Sequence, residues 1–454
     1  MQHYVLEISK YIITLFMALY TYECFAVFRF DNEERRRGIY IRQNIFMFCF
    51  HFMCYLDICI KTNKIEYLFF FAFQQIALFA TITLYSMIYP RSNKLIVNNM
   101  CMLLSVGFVI LTRLSFEKSV KQFLIVVLSI VIAMIIPQII RKLMILKQIT
   151  WIYAGIGIVT LGIVLVMGAV TNGSKLSFSL WGVTFQPSEF IKIVYVFFVA
   201  GILKEAEDFK TIVVSAIAAG IHVIILVLSR DLGSALIFFV TYVMMLYIAT
   251  KKPVYLLVAA GCAAIASVVA YHMFSHIQVR VQAWKDPWSV IDDAGYQIAQ
   301  SLFAISSGGM FGLGIYGGTP RDIPYVETDF VFSAIAEELG LLFCICLIML
   351  YISCFIMFMN IAMRVKDKFY QMVAFGLGVT YGFQIFLTVG GGTKFIPLTG
   401  VTLPLISYGG SSVMATLIMF AVIEGIYCIR QVGGKSVVRK KMGTQQERKT
   451  ETQR

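Results

Sequence analysis

Charge is scarce in this chain. Asp, Glu, Lys and Arg make up only 14% of its 454 residues, and no long polar region is left over for a separate soluble domain. That excludes an ordinary soluble globular protein. Histidine is scarcer still, with five scattered residues and neither HExxH nor any paired ligand spacing, which argues against a zinc-type metal site. The ten cysteines lie in or beside apolar runs, as Cys49, Cys54, Cys59, Cys344 and Cys346 do, so they read as packing residues rather than a disulfide framework. Met1–Lys10 carries little positive charge and no small-residue cleavage site follows it, so the start does not read as a cleavable signal. What is abundant is grease. Hydrophobic residues make up 59% of the chain and the mean hydropathy is +0.81, the composition of a polytopic helical membrane protein.

Thirteen apolar runs are long enough to be transmembrane helices, near 6–28, 43–60, 66–89, 96–112, 120–140, 150–170, 188–204, 211–229, 233–250, 254–273, 328–360, 370–390 and 408–430. The second carries His51 and Asp57 and is the weakest. A net charge of +13 invites a nucleic-acid reading, but its distribution follows the membrane instead. With the C-terminus cytoplasmic and the N-terminus outside, 25 of the 38 Lys and Arg fall on the cytoplasmic side, a two-to-one bias that the opposite orientation inverts. Residues 431–454 read as a basic, disordered cytoplasmic tail.

Two extracytoplasmic segments stand out. One, 274–327, is far longer than a helix connection needs; the other, 391–407, is rich in Gly and Pro. A shorter outer segment, Thr171–Gln186, with Trp181 and Phe185, reads as an amphipathic interfacial piece.

Charges cost several kcal/mol in hydrocarbon unless they are paired or line a wet cavity. Pro187 suits a first helical turn, and Glu189 and Lys192, three apart, share a face just inside the membrane. They read equally as a self-neutralising pair or as the lining of an outward-facing cavity. Asp231 reads either as the cap of the helix that follows or as a second charged wall. The long loop interleaves Arg280, Trp284, Lys285, Asp286, Trp288, Asp292 and Asp293 with turn formers, then runs into Gly308–Gly314, where glycine allows tight turns or close approach to a ligand. Asp329, Glu337 and Glu338 open the next span and need cationic partners; Arg280, Lys285 and Arg321 lie on the same side.

These segments, taken in order, resemble the SEDS family (shape, elongation, division and sporulation; FtsW/RodA/SpoVE). The match runs through Gln186–Lys192, Asp231–Gly233, Tyr296-Gln297, Gly308–Gly314, Thr328–Phe330, Glu337–Gly340 and Pro397–Pro404 into Ser407–Ser412. The last block is highly specific. The resemblance implies an all-α, polytopic transmembrane helix bundle: a ten-helix core at 96–430, with three further helices in an N-terminal extension at 1–95.

It also implies an activity: polymerisation of lipid II, the undecaprenyl-pyrophosphate-linked disaccharide-peptide, by a peptidoglycan glycosyltransferase beside a class B penicillin-binding transpeptidase, in cell division, elongation or sporulation. A general base must take the proton of the acceptor 4-hydroxyl. Positive charge or a divalent cation, Mg or Mn, must stabilise the departing pyrophosphate. The expected substrate-binding residues are Glu189, Lys192, Asp231, Arg280, Glu337 and Ser411. One departure matters. The family's essential acid follows the pattern Asp-Pro-x-x-Asp-Pro/Ile-x-x-x-Gly-Tyr, and an ungapped count back from Gly295-Tyr296 puts it on Val290. Asp292, two residues on, is the substitute candidate, and Asp286 matches the earlier Asp of the pattern. Two other readings compete: a transporter of lipid-linked precursors, and a non-catalytic scaffold for a transpeptidase, which Val290 favours.

Overall fold

The computed structural model describes residues 2–30, 32–171, 174–180, 183–204, 208–292 and 294–429. The basic tail read at 431–454, and Trp181 and Asp293, lie outside the described residues.

The order is α1 (Gln2–Arg29), α2 (Glu33–Thr62), α3 (Ile65–Ile88), α4 (Lys94–Leu114), α5 (Phe116–Lys142), α6 (Thr150–Met167), three short strands, α7 (Ser188–Leu203), α8 (Phe209–Leu228), α9 (Leu232–Thr250), α10 (Val254–Met273), α11 (Ser275–Lys285), α12 (Ala294–Gly308), α13 (Val331–Arg364), α14 (Lys368–Gly392) and α15 (Gly410–Ile429). Twelve helices among the described residues are long and apolar enough to cross a membrane. The thirteenth run is α7, two residues short of that length and largely buried. The chain is a multi-pass membrane protein.

Local sequence sets the helix starts. Asn32, Asn93, Ser115, Asp208, Asp231 and Asp367 each cap a helix by accepting a backbone N–H that has no partner within the helix. The second run, weakened by His51 and Asp57, is helical throughout because both residues find partners. Asp57 accepts from Ser9 Oγ at 2.6 Å, and His51 Nε2 meets Gln74 Oε1 at 3.1 Å.

Burial separates the helices. The hydrophobic stretch of α4 is wholly buried, whereas α10 buries none of its residues. So α4 is the hub, packed against α2, α3, α5 and α13. Side chains at the membrane ends cross-link segments assigned to the same side: Lys147 pairs with Asp367 at one end, Lys118 with Glu327 (2.9 Å) at the other.

Two outer segments take a definite form. The interfacial piece at 171–186 is an antiparallel three-stranded sheet in the order β1 (Ala169–Thr171), β2 (Ser174–Leu180), β3 (Val183–Phe185), with Phe178 opposite Phe185. The alternation Ser174–Leu180 has the period of a strand. The long outer segment 274–327 is not an open loop: α11 and α12 occupy about half of it.

Candidate functional site

Five helices and one irregular segment build a polar cradle. Pro187 turns the chain from the small sheet into α7, whose first turn buries Ser188, Glu189 and Lys192. Lys192 Nζ donates to Glu189 Oε2 at 2.6 Å and to Gln384 Oε1 of α14 at 2.7 Å. Gln384 Nε2 in turn donates to the Thr402 carbonyl at 3.0 Å. At the start of α9, Asp231 accepts from Ser234 N (3.0 Å), Ser188 Oγ (3.2 Å) and Gln186 Nε2 (3.4 Å). It is both a cap and a wall. The Gln186 N–H donates to Ser411 Oγ at 3.0 Å. From α11, Arg280 Nη1 donates to the Thr399 carbonyl at 3.3 Å. Gly400, at φ +74°, sits beside both Asp329 and Arg280; a Cβ there would lie 3.7 Å from Asp329 Oδ2. Glu189, Lys192, Asp231, Arg280 and Ser411 are therefore gathered around 397–412.

Burial raises the Asp231 carboxyl above its ordinary range, opposed by the Ser234 hydrogen bond, with the charge on Glu189 pushing upward too. Burial pushes Asp329 up to about 6 against the Thr328 hydrogen bond and the Arg280 charge. Arg280 is lowered by its own burial, an effect that Asp329 and Asp231 oppose. The cradle thus mixes cations and carboxylates held where small changes in charge are strongly felt.

Glu337, the sixth expected binding residue, is not joined to this cradle by any hydrogen bond or ion pair among the described residues. Its Oε1 accepts the Thr319 N–H at 2.9 Å, and its Oε2 is buried without a partner. It lines a separate cavity of about 280 Å³ with Gln300, Phe303, Ser307 and Thr319. Glu337 belongs to α13 and Lys192 to α7, and sequence spacing cannot relate residues on different helices. Glu338 also differs from expectation. It pairs with Arg113 of α4 at 2.8 Å rather than with an outer-loop cation. Arg113 further donates to the Gly318 carbonyl and lies 4.0 Å over the Tyr316 ring. Arg321 is spent on the carbonyls of Arg113 and Leu114.

Two of the glycines at 308–314, Gly308 and Gly312, approach the backbone of α13 closely. Helix α13 breaks at Gly340 (φ +86°, ψ 172°), and the glycine loop fills the break. The N–H groups of Leu313 and Gly314 donate to the carbonyls of Glu337 and Glu338, while those of Leu341 and Leu342 donate to Gly309 and Met310. A Cβ on Gly312 would sit 2.2 Å from the Glu338 carbonyl oxygen.

The two candidate acids lie apart from the cradle's hydrogen bonds. Asp286 caps the short turn Trp288–Val290 by accepting from Trp288 N (3.2 Å) and Ser289 N (3.4 Å). Asp292 is exposed in the next turn and makes no hydrogen bond or ion pair among the described residues. Val290 is half-buried between them, and its carbonyl abuts Gly295. Gln384 and Arg113 carry no role in the sequence reading. Gln384 had a signal, since a lone amide inside an apolar span must find a partner. Among the described residues no three His, Cys, Asp or Glu converge on a metal-sized site.

Fold and site define a class: a polytopic helical membrane protein with a buried cation–carboxylate cradle at one membrane end. The profile of the FtsW/RodA/SpoVE group, described as cell cycle proteins, matches residues 88–431, and the chain belongs to that family. It is 35% identical over 277 residues to the peptidoglycan glycosyltransferase RodA of Mycobacterium bovis, covering 56% of this chain and 58% of that one. It is 31% identical over 335 residues to a probable peptidoglycan glycosyltransferase FtsW of Aliivibrio salmonicida, covering 70% and 83%. The chain thus spans less than two thirds of its mycobacterial relative's length. Among solved structures, RodA of Thermus thermophilus superposes with a TM-score of 0.57 at 24% identity, over 74% of this chain and 96% of that one. A chain from a peptidoglycan synthase complex, studied for how polymerization and crosslinking are coordinated, gives 0.64 at 24% identity, over 75% and 98%. At that identity these two speak for the fold. Helices α1–α3 lie ahead of the matched segment, apart from its first residue.

Proposed function

We propose that this chain is a peptidoglycan glycosyltransferase that polymerises lipid II on the outer face of the cytoplasmic membrane, with a cytoplasmic C-terminus and an extracytoplasmic N-terminus. One observation carries it: Lys192 is buried in a cradle shared by Glu189, Gln384, Asp231 and Arg280, within a family whose members carry that activity in their names. A buried ammonium beside polar, rearrangeable partners suits a pyrophosphate, whose departure needs positive charge that is already oriented. Arg280 supplies a second cation. In the reaction the acceptor 4-hydroxyl oxygen bonds to the donor's anomeric carbon, the anomeric carbon–phosphate oxygen bond breaks, and the hydroxyl proton passes to a base. We assign Asp292 that base: it is exposed and uncommitted, whereas Asp286 is held by two backbone N–H groups. Glu337 would contact substrate from the neighbouring cavity. The partner is a class B penicillin-binding transpeptidase, a pairing supported by the synthase complex whose chain shares this fold.

Purified protein with its transpeptidase is to be assayed for lipid II polymerisation as wild type, Asp292→Asn, Asp286→Asn and Val290→Asp. Strands from wild type that vanish with Asp292→Asn support the reading. Strands only from Val290→Asp favour a disabled polymerase acting as a scaffold, the reading that Val290 itself recommends.

A further inference from the structure

At the end of the bundle remote from the cradle, α2, α3 and the start of α4 enclose a cavity of about 180 Å³. Two cations face it from different helices, Arg37 of α2 and Lys94 of α4, and neither makes an ion pair with a described residue. Tyr40, Ser86 and Ser92 add hydroxyl groups to the wall. Asn44 lines it too, and its Oδ1 is shielded from solvent with no hydrogen-bond partner. Exposed Ile41 and part-buried Ile82 also line it, so the polar floor continues into an apolar surface. Next to Ser92 and Lys94, the Asn93 N–H is accepted by Oε2 of Glu424 of α15 at 2.9 Å, and Glu424 Oε1 is buried without a partner.

These features call for a ligand with three properties. Two unpaired cations want an anion. A buried amide oxygen wants a donor, such as a hydroxyl. The apolar lining wants hydrocarbon. Basic pockets between helices on the cytoplasmic side are suited to anionic headgroups. We propose that this cavity binds the phosphate of a glycerophospholipid with a hydroxylated headgroup, such as phosphatidylglycerol. Arg37 and Lys94 hold the phosphate, Asn44 accepts from the headgroup hydroxyl, and the acyl chains lie along Ile41 and Ile82. The lipid would then tie α2, ahead of the family-matched segment, to α4, the buried hub of the bundle.

The test uses the full chain, delipidated and reconstituted in phosphatidylcholine with or without phosphatidylglycerol, read by native mass spectrometry and thermal melting. Wild type is expected to retain phosphatidylglycerol and to melt higher with it. Retention should fall roughly fivefold for each cation removed in Arg37→Gln and Lys94→Gln, and the swap Arg37→Lys with Lys94→Arg should restore it. The basic tail is the same in every variant, so a difference between them reports the cavity. Inorganic phosphate is the second arm. If it alone raises the melting temperature through the same two residues, the anion cradle stands and its occupant is soluble phosphate. Equal lipid retention by wild type and the double Gln variant, or no retention by wild type, overturns the proposal. Should the Gln pair fail to fold, the charge-preserving swap still decides: loss of retention there, with an unchanged melt in pure phosphatidylcholine, counts against a charge-based site.

Discussion

Two polar networks near the same end of the bundle make an instructive contrast. In the Arg113–Glu338 network every strong group is committed: carboxylate to guanidinium and to the Tyr316 N–H, guanidinium to the Gly318 carbonyl and the Tyr316 ring. In the Lys192 cradle the same residue types are held by exchangeable partners. Lys192 bridges a carboxylate and an amide oxygen, and Asp231 leans on two side chains from the sheet-to-α7 turn. A saturated buried ion pair fixes geometry, and removing one partner leaves an uncompensated charge. A cradle with replaceable partners can hand its cation to an incoming anion. The first network reads as a weld, the second as a receptor.

Breaking the weld should have the largest effect on folding. Arg113→Ala should cost roughly 3–5 kcal/mol, seen as loss of folded protein and a lower melting temperature, while Lys192→Met, which leaves Glu189 without its cation, should cost less because that carboxylate keeps the favourable field of the α7 N-terminus. If Lys192→Met unfolds the protein and Arg113→Ala does not, the contrast is reversed. Lys192→Met should instead lower polymerisation by about 10²–10³-fold, as loss of a charge-stabilising donor does, measured on lipid II. Gly340→Ala probes the weld's backbone. A Cβ there would lie 2.3 Å from Gly312 N at φ +86°, so about 1–3 kcal/mol of strain is expected at least, read by thermal melting.

The cradle should answer to pH. Asp329 holds its proton up to about 6 in the fold, above its ordinary 3.8, because burial penalises the charged form. The folded state therefore binds this proton more tightly than the unfolded one. Its penalty on stability is fully present above pH 6 and vanishes below about 4. Protonation also removes the charge that faces Arg280, so activity should fall on the acid side near pH 6, and Asp329→Asn should abolish that limb of the profile. The smallest effect belongs to Asp286→Ala, a lost turn cap of about 1 kcal/mol. A loss of polymerisation far beyond that would move the catalytic assignment from Asp292 to Asp286.

The helix inventory was legible because hydrocarbon demands satisfied backbone and apolar side chains over a fixed length. Even the doubtful run with His51 and Asp57 formed, because Gln74 and Ser9 supply its partners. The pair Glu189–Lys192 was legible from helical spacing, and so was the cap at Asp231. The strands at 169–185 were not legible, because an amphipathic segment between helices has two periods to choose from. The glycine loop left tight turns and close approach to a ligand both open, because glycine announces close approach without naming what approaches.

The sequence by itself determined a membrane-spanning helical chain, its family, and the charged residues it keeps despite the cost of placing them near hydrocarbon. Only the tertiary structure decided which of those charges meet. Helical spacing fixes neighbours along one helix, but Lys192 and Gln384 are 192 residues apart, and Arg113 and Glu338 are 225 apart. Those pairings depend on how α4, α7, α13 and α14 rotate about their own axes when packed, and Glu337 faces a different cavity for that reason.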